Sequence, residues 1–573
     1  MTGAKPATPL GNGGVMSMNE VSKQKIETIK TDVLCVGGGI AGLMAAIRAA
    51  ELGARVVVAE KGNALYSGRG RAGNDHFWCY IPEVHGTDIE LFLKECLKGP
   101  KLRIMQAGTS MKVMRTFLEN SFEVVKLWDS WGIPMKHGGK WEFAGHSFPG
   151  DVFTHLKYKG HPQKKILTKK ALEKGAEIVN RVMIFELLTD EHGVTGALGI
   201  DTRDNRLFVF QAKAVVLGTG VVERLYPSPV PGWMASTPGC LSLTGDGRAM
   251  TYKAGGTLVG PESPKRHPGP RYFGRYGQAT WVGVLRDPHG KPVGPYVTKP
   301  DRRYGDMTME ARSTILEDYL KSGKGPVYMD CRGITDEDYA YMMEAFVHEG
   351  LTCLINHLNE EGIDLRKHPI EFGTYHIYPE AKIWITEKGE TSLRGLYAAG
   401  DESIVSIGPA ATYGWLAGAS AAGFVGTNDA RGVETCMEHI DEKRAMIEEM
   451  LARKNGPTWQ EANVALQQIM QDYAGLLRTD TLLSAGLSYL RRLRKKAAST
   501  MVARNRWELV RGLETLNLLD LGELVVLGAR ERKETRALHN RPDFPLTDPM
   551  LDGKAIFVRM VDGEPAMEWR RTE

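Results

Sequence analysis

The sequence predicts an α/β fold with three parts: a doubly wound, Rossmann-like dinucleotide-binding domain, an inserted α+β capping domain and a C-terminal helical domain. Three observations predict it. A strand, a glycine-rich turn, a helix and a second strand follow one another over residues 33–60. The composition changes abruptly to Pro, Gly, Arg and aromatic residues over residues 261–300, which excludes a regular helix or a central strand there. Beyond residue 429 the pattern is mainly that of long helices.

The glycine-rich turn reads Gly37-Gly38-Gly39-Ile40-Ala41-Gly42. In this spacing Gly37 suits a tight turn, Gly39 lets the backbone approach a pyrophosphate, and Gly42 allows close packing of helix on strand. The N-terminus of the following helix then faces the phosphates. Glu60 ends the second strand, where a ribose hydroxyl needs an acceptor. The segment therefore predicts a dinucleotide site.

Length and composition limit the function classes. At 573 residues and 63.3 kDa the chain is too long for one core, so two to four domains are expected. A formal charge of +4 is too small to indicate nucleic-acid binding. The first 30 residues read as a flexible tail, and no apolar run is long enough to span a bilayer, which favours a cytoplasmic protein.

The seven cysteines are scattered and form no C-x-x-C pair. This pattern argues against a zinc site or a cysteine-ligated iron–sulfur cluster within the chain, so no metal site is expected. The odd count also argues against a disulfide framework and fits a reducing compartment. An iron–sulfur cluster that exchanges electrons with this chain would have to lie on a partner.

Hydrophobic periodicity predicts the remaining elements. The predicted strands are 176–188, a hairpin over 194–217, 382–386 and 395–399. A tail rich in Pro and Asp after residue 530 is expected to be irregular. Helical patterns cover 87–131, 163–174, 308–321, 336–361, 414–425, 434–453, 458–472, 480–496 and 503–530.

Several separated motifs, in the same order along nearly the whole chain, resemble the flavoprotein (alpha) subunits of succinate dehydrogenase, fumarate reductase, L-aspartate oxidase and adenylylsulfate reductase. The resemblance is nearest to adenylylsulfate reductase alpha-like proteins. The motifs are Glu60-Lys61, Tyr66-Ser67-Gly68, Gly73-Asn74, Trp131-Gly132-Ile133-Pro134, Gly160-His161, AKAVVLGTG (212–220), TGDGRAM (244–250), GLYAAGD (395–401) and RKETRALHNRPDFP (532–545).

The resemblance implies an FAD-binding domain in two parts, 31–260 and 371–428, with a capping domain over 261–370 and the C-terminal domain and tail over 429–573. It implies a second turn against FAD at Gly218, Thr219 and Gly220, and a contact of Asp246 with the nucleotide half. Gly400 and Asp401 would lie at the ribityl chain. Their place after an apolar strand independently suggests a sugar or phosphate site, although Asp401 as a helix N-cap is the alternative.

Two departures from the family are informative. In succinate dehydrogenases a histidine links covalently to FAD, but Gly68 stands at that position. FAD is therefore expected to be bound non-covalently. The dicarboxylate enzymes also carry two substrate-binding arginines, whereas this chain has Gln278-Ala279-Thr280-Trp281 and Ala410-Ala411-Thr412-Tyr413-Gly414 in those regions. Without a bidentate arginine, fumarate and succinate lose their anchors.

Candidate catalytic residues are Glu262, His267, Arg271, Arg275 and His376. Arginines can hold an anion, and a histidine can exchange a proton near neutral pH. By resemblance, Glu262 falls where adenylylsulfate reductases have a glutamate. His267 falls where the dicarboxylate enzymes have a His-Pro, and the two registers remain open. For His376 the alternative is core or interface filling, and for the two arginines it is a solvated surface.

The resemblance implies a catalytic flavoprotein subunit that carries out a two-electron redox reaction on a small anionic substrate. Electrons would be exchanged with a ferredoxin-like iron–sulfur subunit, in a hetero- or homo-oligomer. One alternative is a self-contained enzyme like fumarate reductase, succinate dehydrogenase or L-aspartate oxidase. The other is a non-catalytic electron-transfer flavoprotein subunit of a larger redox complex.

Overall fold

A computed structural model describes residues 25–71, 73–98, 108–145, 147, 150–227, 240–271, 280–294, 297–305, 315–379, 381–429 and 431–572. The strands in chain order are β1 Lys25–Val36, β2 Val56–Glu60, β3 His76–Trp78, β4 His155–Lys157, β5 Glu177–Asn180, β6 Val182–Asp190, β7 Gly193–Asp201, β8 Arg206–Leu217, β9 Leu258–Val259, β10 Pro264–Pro270, β11 Val284–Arg286, β12 Val327–Asp330, β13 Ile370–Pro379, β14 Lys382–Ile383, β15 Leu396–Ala398, β16 Lys554–Val561 and β17 Glu564–Arg571.

The α-helices in chain order are α1 Ile40–Glu51, α2 Pro82–His85, α3 Ile89–Lys98, α4 Met111–Ser130, α5 Gln163–Glu173, α6 Asp246–Lys253, α7 Ile315–Lys321, α8 Asp336–His348, α9 Thr352–Glu360, α10 Ile407–Thr427, α11 Met437–Ala452, α12 Trp459–Tyr473, α13 Asp480–Thr500 and α14 Arg506–Glu531.

The central sheet has the strand order β5-β2-β1-β8-β7-β6, with β15 also pairing with β8. β1, β2, β5, β8 and β15 pair in parallel, whereas β6, β7 and β8 form an antiparallel meander. β2 is buried along its whole length, as expected of a parallel strand covered on both faces. β1 begins at Lys25 and pairs with Arg206 onward, so residues 25–30 are strand rather than the flexible tail expected there. Residues 1–24 lie outside the described part.

Helices α1 and α10 pack closely over the sheet because small residues line their contact. A Cβ at Gly414 would lie 2.4 Å from the carbonyl oxygen of Ala41, and one at Gly418 would lie 2.4 Å from that of Ala45. α10 thus spans residues 407–427 and starts seven residues before the helix that the periodicity predicts. Its early start brings the N-terminus of α10 next to the loop that follows β15.

The cap has its own sheet, in the order β10-β13-β12-β11, and its own hydrophobic core with Trp281, Met342 and Phe346. β10 carries four prolines and glycines and lies at the edge of that sheet, as the composition requires. β13 pairs with β10 over residues 372–379 and with β12 over residues 370–372, so the cap extends to residue 379 and the expected boundary at 371 falls within this strand. The helix expected over 336–361 is two helices, because Gly350 adopts φ +74° between them.

The C-terminal region packs α12, α13 and α14 together, with α14 buried over most of its length. Thr458, Thr479 and Asn505 cap the three helices through side-chain oxygens. The irregular tail expected after residue 530 is wrong for 554–571, which form the hairpin β16–β17. Asp562 and Gly563 both have positive φ at its turn, as a two-residue hairpin requires. β16 also pairs with β9, which joins this region to the strand that precedes the cap.

Within the described residues, none of the helices combines the length and the apolar character that a bilayer crossing requires.

Candidate functional site

A cavity of about 600 Å³ opens at the carboxyl ends of the parallel strands of the central sheet. Its walls include Val36 at the end of β1, Glu60 at the end of β2, Gly218 after β8 and Ala399 after β15. This is the edge where doubly wound sheets bind ligands, and the volume is that of a cofactor pocket.

The glycine-rich turn between β1 and α1 leaves no room for side chains at two positions. Gly37 has φ +99°, and a Cβ there would lie 2.6 Å from the carbonyl oxygen of Gly218. A Cβ at Gly42 would lie 1.9 Å from the carbonyl oxygen of Gly37. Both clashes are with backbone atoms, so the turn, the helix and the loop after β8 hold their spacing only with glycine.

Glu60 is fixed by the backbone around it. Its Oε2 accepts from the N–H of Gly38 at 2.7 Å, and its Oε1 accepts from the N–H of Gly62 at 2.6 Å. The side chain is buried and lines the cavity. A carboxylate held in this way keeps free lone pairs for a ribose hydroxyl.

Lys164, from the first turn of α5, adds a buried cation to the cavity wall. Its Nζ donates to the carbonyl oxygen of Gly38. Burial lowers the pKa of Lys164 to about 8, against the opposing effect of Glu60. An ammonium group with so little water around it gains from a phosphate placed beside the glycine turn.

Lys61 links two carboxylates at the same end of the cavity as Glu60. Its Nζ donates to Asp246 Oδ2 and to Glu514 Oε1, both at 2.7 Å. Burial alone would lower the pKa of Lys61, but the two carboxylates raise it above its ordinary value. Burial opposes ionisation of Asp246, but the attraction of Lys61 and the hydrogen bonds from Lys61, Asn517 and Thr244 together hold its pKa below the ordinary value. Asp246 also accepts from Asn517 Nδ2 at 3.0 Å.

Two loops, after β8 and after β15, form a further part of the cavity wall. Gly220 and Gly400 adopt positive φ, +90° and +78°, and the side chain of Asp401 accepts from the N–H of Ser406 at 3.0 Å. Asp401 is not the N-cap of α10, since Ser406 occupies that position. Arg248 joins the two loops, because its guanidinium donates to the carbonyl oxygens of Gly220 and Asp401.

Two buried carboxyl groups, those of Glu402 and Glu223, lie next to these loops. Burial raises the pKa of Glu402 to about 7, although Thr219 donates to it and Arg248 lies close by. Burial also raises the pKa of Glu223 to about 7, against the attraction of Arg69, whose Nη1 lies 3.6 Å from Glu223 Oε1. These groups change charge near neutral pH behind the cavity wall.

The structure brings most of the proposed cofactor residues into one cavity wall. Gly42 and Gly73 are outside it: Gly42 packs on Gly37, and a Cβ at Gly73 would lie 1.9 Å from the carbonyl oxygen of His348 in the cap. The proposed residues that line the wall are Gly37, Gly39, Ile40, Ala41, Glu60, Lys61, Ser67, Gly68, Gly218, Thr219, Gly220, Asp246, Gly400 and Asp401.

The structure does not bring Glu262 or Arg271 to this cavity. Glu262 is buried, and its Oε1 accepts from Arg532 Nε of the C-terminal region at 2.8 Å. Arg271 is partly exposed on the cap, where its Nη1 donates to Glu371 Oε1 at 2.8 Å. Both side chains form ion pairs within the protein. Their positions in the sequence did not reveal these pairs.

The backbones of His267 and His376 lie side by side in the cap. In the register of β10 and β13, His267 is opposite Tyr375 and His376 is opposite Arg266. The side chains of these two histidines and the whole of Arg275 lie outside the described residues.

A second buried polar cluster joins the cap, through Thr280, to the segment around β3 and β4. His76 Nδ1 and Asp75 Oδ1 are 2.5 Å apart, while Lys157 Nζ and Thr280 Oγ1 donate to Asp75 Oδ2 at 2.6 and 2.9 Å. Burial opposes ionisation of Asp75, but His76 and Lys157 hold its pKa well below the ordinary value. Asp75, His76 and Glu349 offer ligand atoms close enough for one metal ion. The ammonium of Lys157 already provides a positive charge beside Asp75. The expectation that the chain has no metal site stays a prediction.

Several wall residues were not predicted from the sequence as cofactor contacts. Arg69 and Asn74 directly follow Gly68 and Gly73, and the Gly73-Asn74 motif could have indicated the second of them. The others come from segments farther along the chain and are recognisable only once the fold is known: Lys164, Arg181, Arg203, Ile407, Trp507, Val510 and Arg511.

Comparison with known protein families agrees with this geometry. The family model "FAD binding domain" matches residues 32–414, and "Fumarate reductase flavoprotein C-term" matches residues 463–572. The chain belongs to the fumarate reductase and succinate dehydrogenase family of flavoproteins. It is an FAD-dependent oxidoreductase. The glycine turn, Glu60 and Lys164 fit the nucleotide half of that cofactor.

Relatives and solved structures of this family cover nearly the whole chain. A "Fumarate reductase (CoM/CoB)" subunit of Methanothermobacter marburgensis is 24% identical over 553 residues, 91% of this chain and 96% of that protein. The structure of adenylylsulfate reductase from Archaeoglobus fulgidus has a TM-score of 0.81 at 22% identity, covering 96% of each chain. A quinol-fumarate reductase structure also has a TM-score of 0.81, at 20% identity, covering 96% of this chain and 99% of that one. The fold therefore agrees equally with both enzyme types.

Proposed function

We propose that the chain is the catalytic flavoprotein subunit of an oxidoreductase that acts on a small anionic substrate other than a dicarboxylate and exchanges electrons with a separate iron–sulfur protein. The observation that carries the proposal is Thr412, in the region where the dicarboxylate enzymes have a carboxylate-binding arginine. Its side chain is fully buried in α10, and its hydroxyl has no hydrogen-bond partner among the described residues. Such a residue cannot clamp a carboxylate.

Gly68 supports non-covalent attachment of FAD. It lines the cavity with φ +84°, a conformation that favours glycine, and it has no side-chain atom to which a flavin could bond. When bound, FAD supplies the two-electron acceptor and donor, while the protein supplies binding, orientation and electrostatics.

The scattered positions of the cysteines support an iron–sulfur cluster on a separate partner protein. All seven are free, and five of them, Cys35, Cys79, Cys96, Cys331 and Cys436, are buried at separate places along the chain. Burial raises the pKa of Cys35 and Cys331 to about 12, which disfavours the thiolate that a cluster needs. Electrons that leave FAD would then pass to another protein.

For the substrate, the neighbouring backbones of His267 and His376 favour these two residues as the proton-exchanging groups, with Arg275 as an anion-binding group. Arg271 and Glu262 are weaker candidates, because Glu371 and Arg532 already engage them. Double variants His267→Ala/His376→Ala should lose turnover while keeping their flavin.

The test is purification from the native source under anaerobic conditions, with iron, acid-labile sulfide and flavin measured together. The proposal predicts a complex with iron and sulfide, and one flavin per chain that acid precipitation releases into the supernatant. A full-length chain without iron that turns over substrate on its own would contradict the partner. Flavin that stays with the acid precipitate would contradict non-covalent binding.

The second candidate is a self-contained fumarate-reductase-like enzyme. An L-aspartate oxidase of Vibrio cholerae, whose name carries no subunit designation, is 24% identical and matched over 96% of its length, which favours a self-contained enzyme of this family. Its signature would be rapid oxidation of the reduced protein by fumarate with no other protein present.

A further inference from the structure

We propose that the first two turns of α14, in the C-terminal region, form part of the binding site for the adenosine end of FAD. Trp507, Val510 and Arg511 line the cavity, although they lie more than 400 residues after the glycine turn. The proposal depends on FAD binding and is independent of the substrate and the electron partner.

The position of these residues identifies the end of the cofactor that they face. The glycine turn takes the phosphates, and Glu60 takes the ribose of the adenosine half. Lys61 follows Glu60 directly, and its Nζ reaches Glu514 Oε1 on α14 at 2.7 Å. α14 therefore meets the cavity beside Lys61, the residue that follows Glu60.

A buried ion cluster holds α14 in this place. The carboxylate of Glu514 is fully buried and accepts from Lys61 Nζ at 2.7 Å, Arg224 Nη2 at 2.9 Å and Arg511 Nη1 at 2.7 Å. Arg511 Nη2 also donates to Ser242 Oγ at 3.0 Å, and Ser242 is itself a wall residue. One carboxylate thus joins the loop after β2, the segment after β8 and α14, so the adenosine end of the cavity is complete only when the C-terminal region is docked.

Trp507 offers the surface that a purine needs. Its side chain is 50% exposed although it lines the cavity. Its ring centre lies 5.6 Å from that of Trp459 in a T-shaped arrangement, and the guanidinium of Arg511 lies 5.5 Å from the Trp507 ring centre. A half-open indole stacks on a base at about 1–3 kcal/mol, and Arg511 adds a cation near the same base or its phosphates.

A consequence is selectivity for FAD over FMN, because FMN lacks the adenosine that would meet Trp507. The matching experiment uses the full-length protein stripped of flavin and titrated with FAD, FMN and ADP. The variants are Trp507→Ala, Trp507→Phe and, as control, Trp569→Ala. Trp569 lies on the terminal hairpin, where it donates to Glu531 at 2.9 Å outside the cavity wall.

Trp507→Ala should weaken FAD and ADP about tenfold and leave FMN unchanged. Trp507→Phe, which keeps an aromatic face, should stay within about threefold of the wild type, and Trp569→Ala should match the wild type for all three ligands. Unchanged FAD affinity in Trp507→Ala would overturn the proposal. An equal loss for FAD and FMN would also overturn it, since that would indicate a general loss of structure.

Discussion

The cofactor cavity and the cap differ in how they use polar residues. In the cavity, Glu60 and Lys164 bond to backbone atoms of the glycine turn, and this leaves their charges facing the ligand. In the cap, Arg271 pairs with Glu371, and at its base Glu262 pairs with Arg532, so these charges stabilise the protein itself. A motif that constrains the backbone therefore identifies a site more reliably than a concentration of arginines and aromatic residues.

The largest effect is expected at Gly42. Gly42→Ala places a Cβ 1.9 Å from the carbonyl oxygen of Gly37, so the turn must move away from the phosphates. We expect FAD affinity to fall at least ~100-fold, because phosphate positioning depends on this turn. Isothermal titration with FAD measures the loss.

The control is Gly423→Ala in α10, where a Cβ would meet nothing within 4 Å. It should leave FAD binding unchanged and raise helix stability by about 0.5–1 kcal/mol. Equal FAD affinity in Gly42→Ala and Gly423→Ala would contradict the claim that FAD binding depends on the backbone spacing at Gly42.

The next effect is expected at Glu514. Glu514→Gln leaves Lys61, Arg224 and Arg511 with one fewer buried counter-charge, which should lower the free energy of unfolding by about 3 kcal/mol. Urea denaturation measures this. Glu523→Gln is the control, since its partner Arg491 is exposed, and it should change stability by less than ~1 kcal/mol. A loss in Glu514→Gln as small as in the control would contradict the role of the cluster in docking α14.

Glu402 should give the protein a measurable pH dependence. With a pKa of about 7 in the folded state and 4.5 as its reference value, the native protein binds more protons than the unfolded chain between these pH values. The free energy of unfolding therefore falls as the pH rises through this window, by up to about 3 kcal/mol for this group. Glu223 contributes in the same direction.

Glu402→Gln should accordingly make the fall of stability between pH 5 and pH 7 less steep, followed as the thermal midpoint of the FAD-saturated protein. Glu361→Gln, at an exposed position, should keep the full slope. An unchanged slope in Glu402→Gln would show that this carboxyl group ionises at its ordinary pH.

Lys164 tests whether the cavity uses a buried cation for the phosphates. Lys164→Met should weaken FAD about tenfold at pH 7, since it removes one charge-assisted hydrogen bond. In the wild type the affinity should fall as the pH rises through about 8, where the free protein loses this charge. Lys165→Met, at an exposed neighbour, is the control and should behave like the wild type. A pH profile of FAD binding that is the same in Lys164→Met and the wild type would exclude this role.

The smallest effect is expected at Arg271. Because Arg271 is partly exposed and paired with Glu371, Arg271→Ala should cost less than ~1 kcal/mol of stability and leave FAD affinity unchanged. Glu371→Gln should give the same result. Steady-state kinetics with the physiological substrate would complete the contrast with the cavity, since a fall in kcat for Arg271→Ala alone would assign this arginine to the reaction.

Much of the cavity was predictable because its residues follow strands at fixed spacings, as Gly37 and Glu60 do. Lys164 and Trp507 were not predictable, because they reach the cavity from helices whose docking depends on the whole fold. The terminal hairpin was missed although Asp562-Gly563 is a turn signal between two alternating segments. The break at Gly350 shows that helical periodicity alone does not locate a helix end.

Oxidation of the reduced flavoprotein by fumarate, followed by flavin absorbance in a stopped-flow instrument, tests the proposed substrate class most directly. The cofactor site has the features of the family, but the substrate region lacks the two arginines of the dicarboxylate enzymes. We therefore expect fumarate to oxidise the flavin no faster than buffer alone does. Rapid oxidation that saturates with fumarate concentration would show instead that the protein binds and reduces a dicarboxylate.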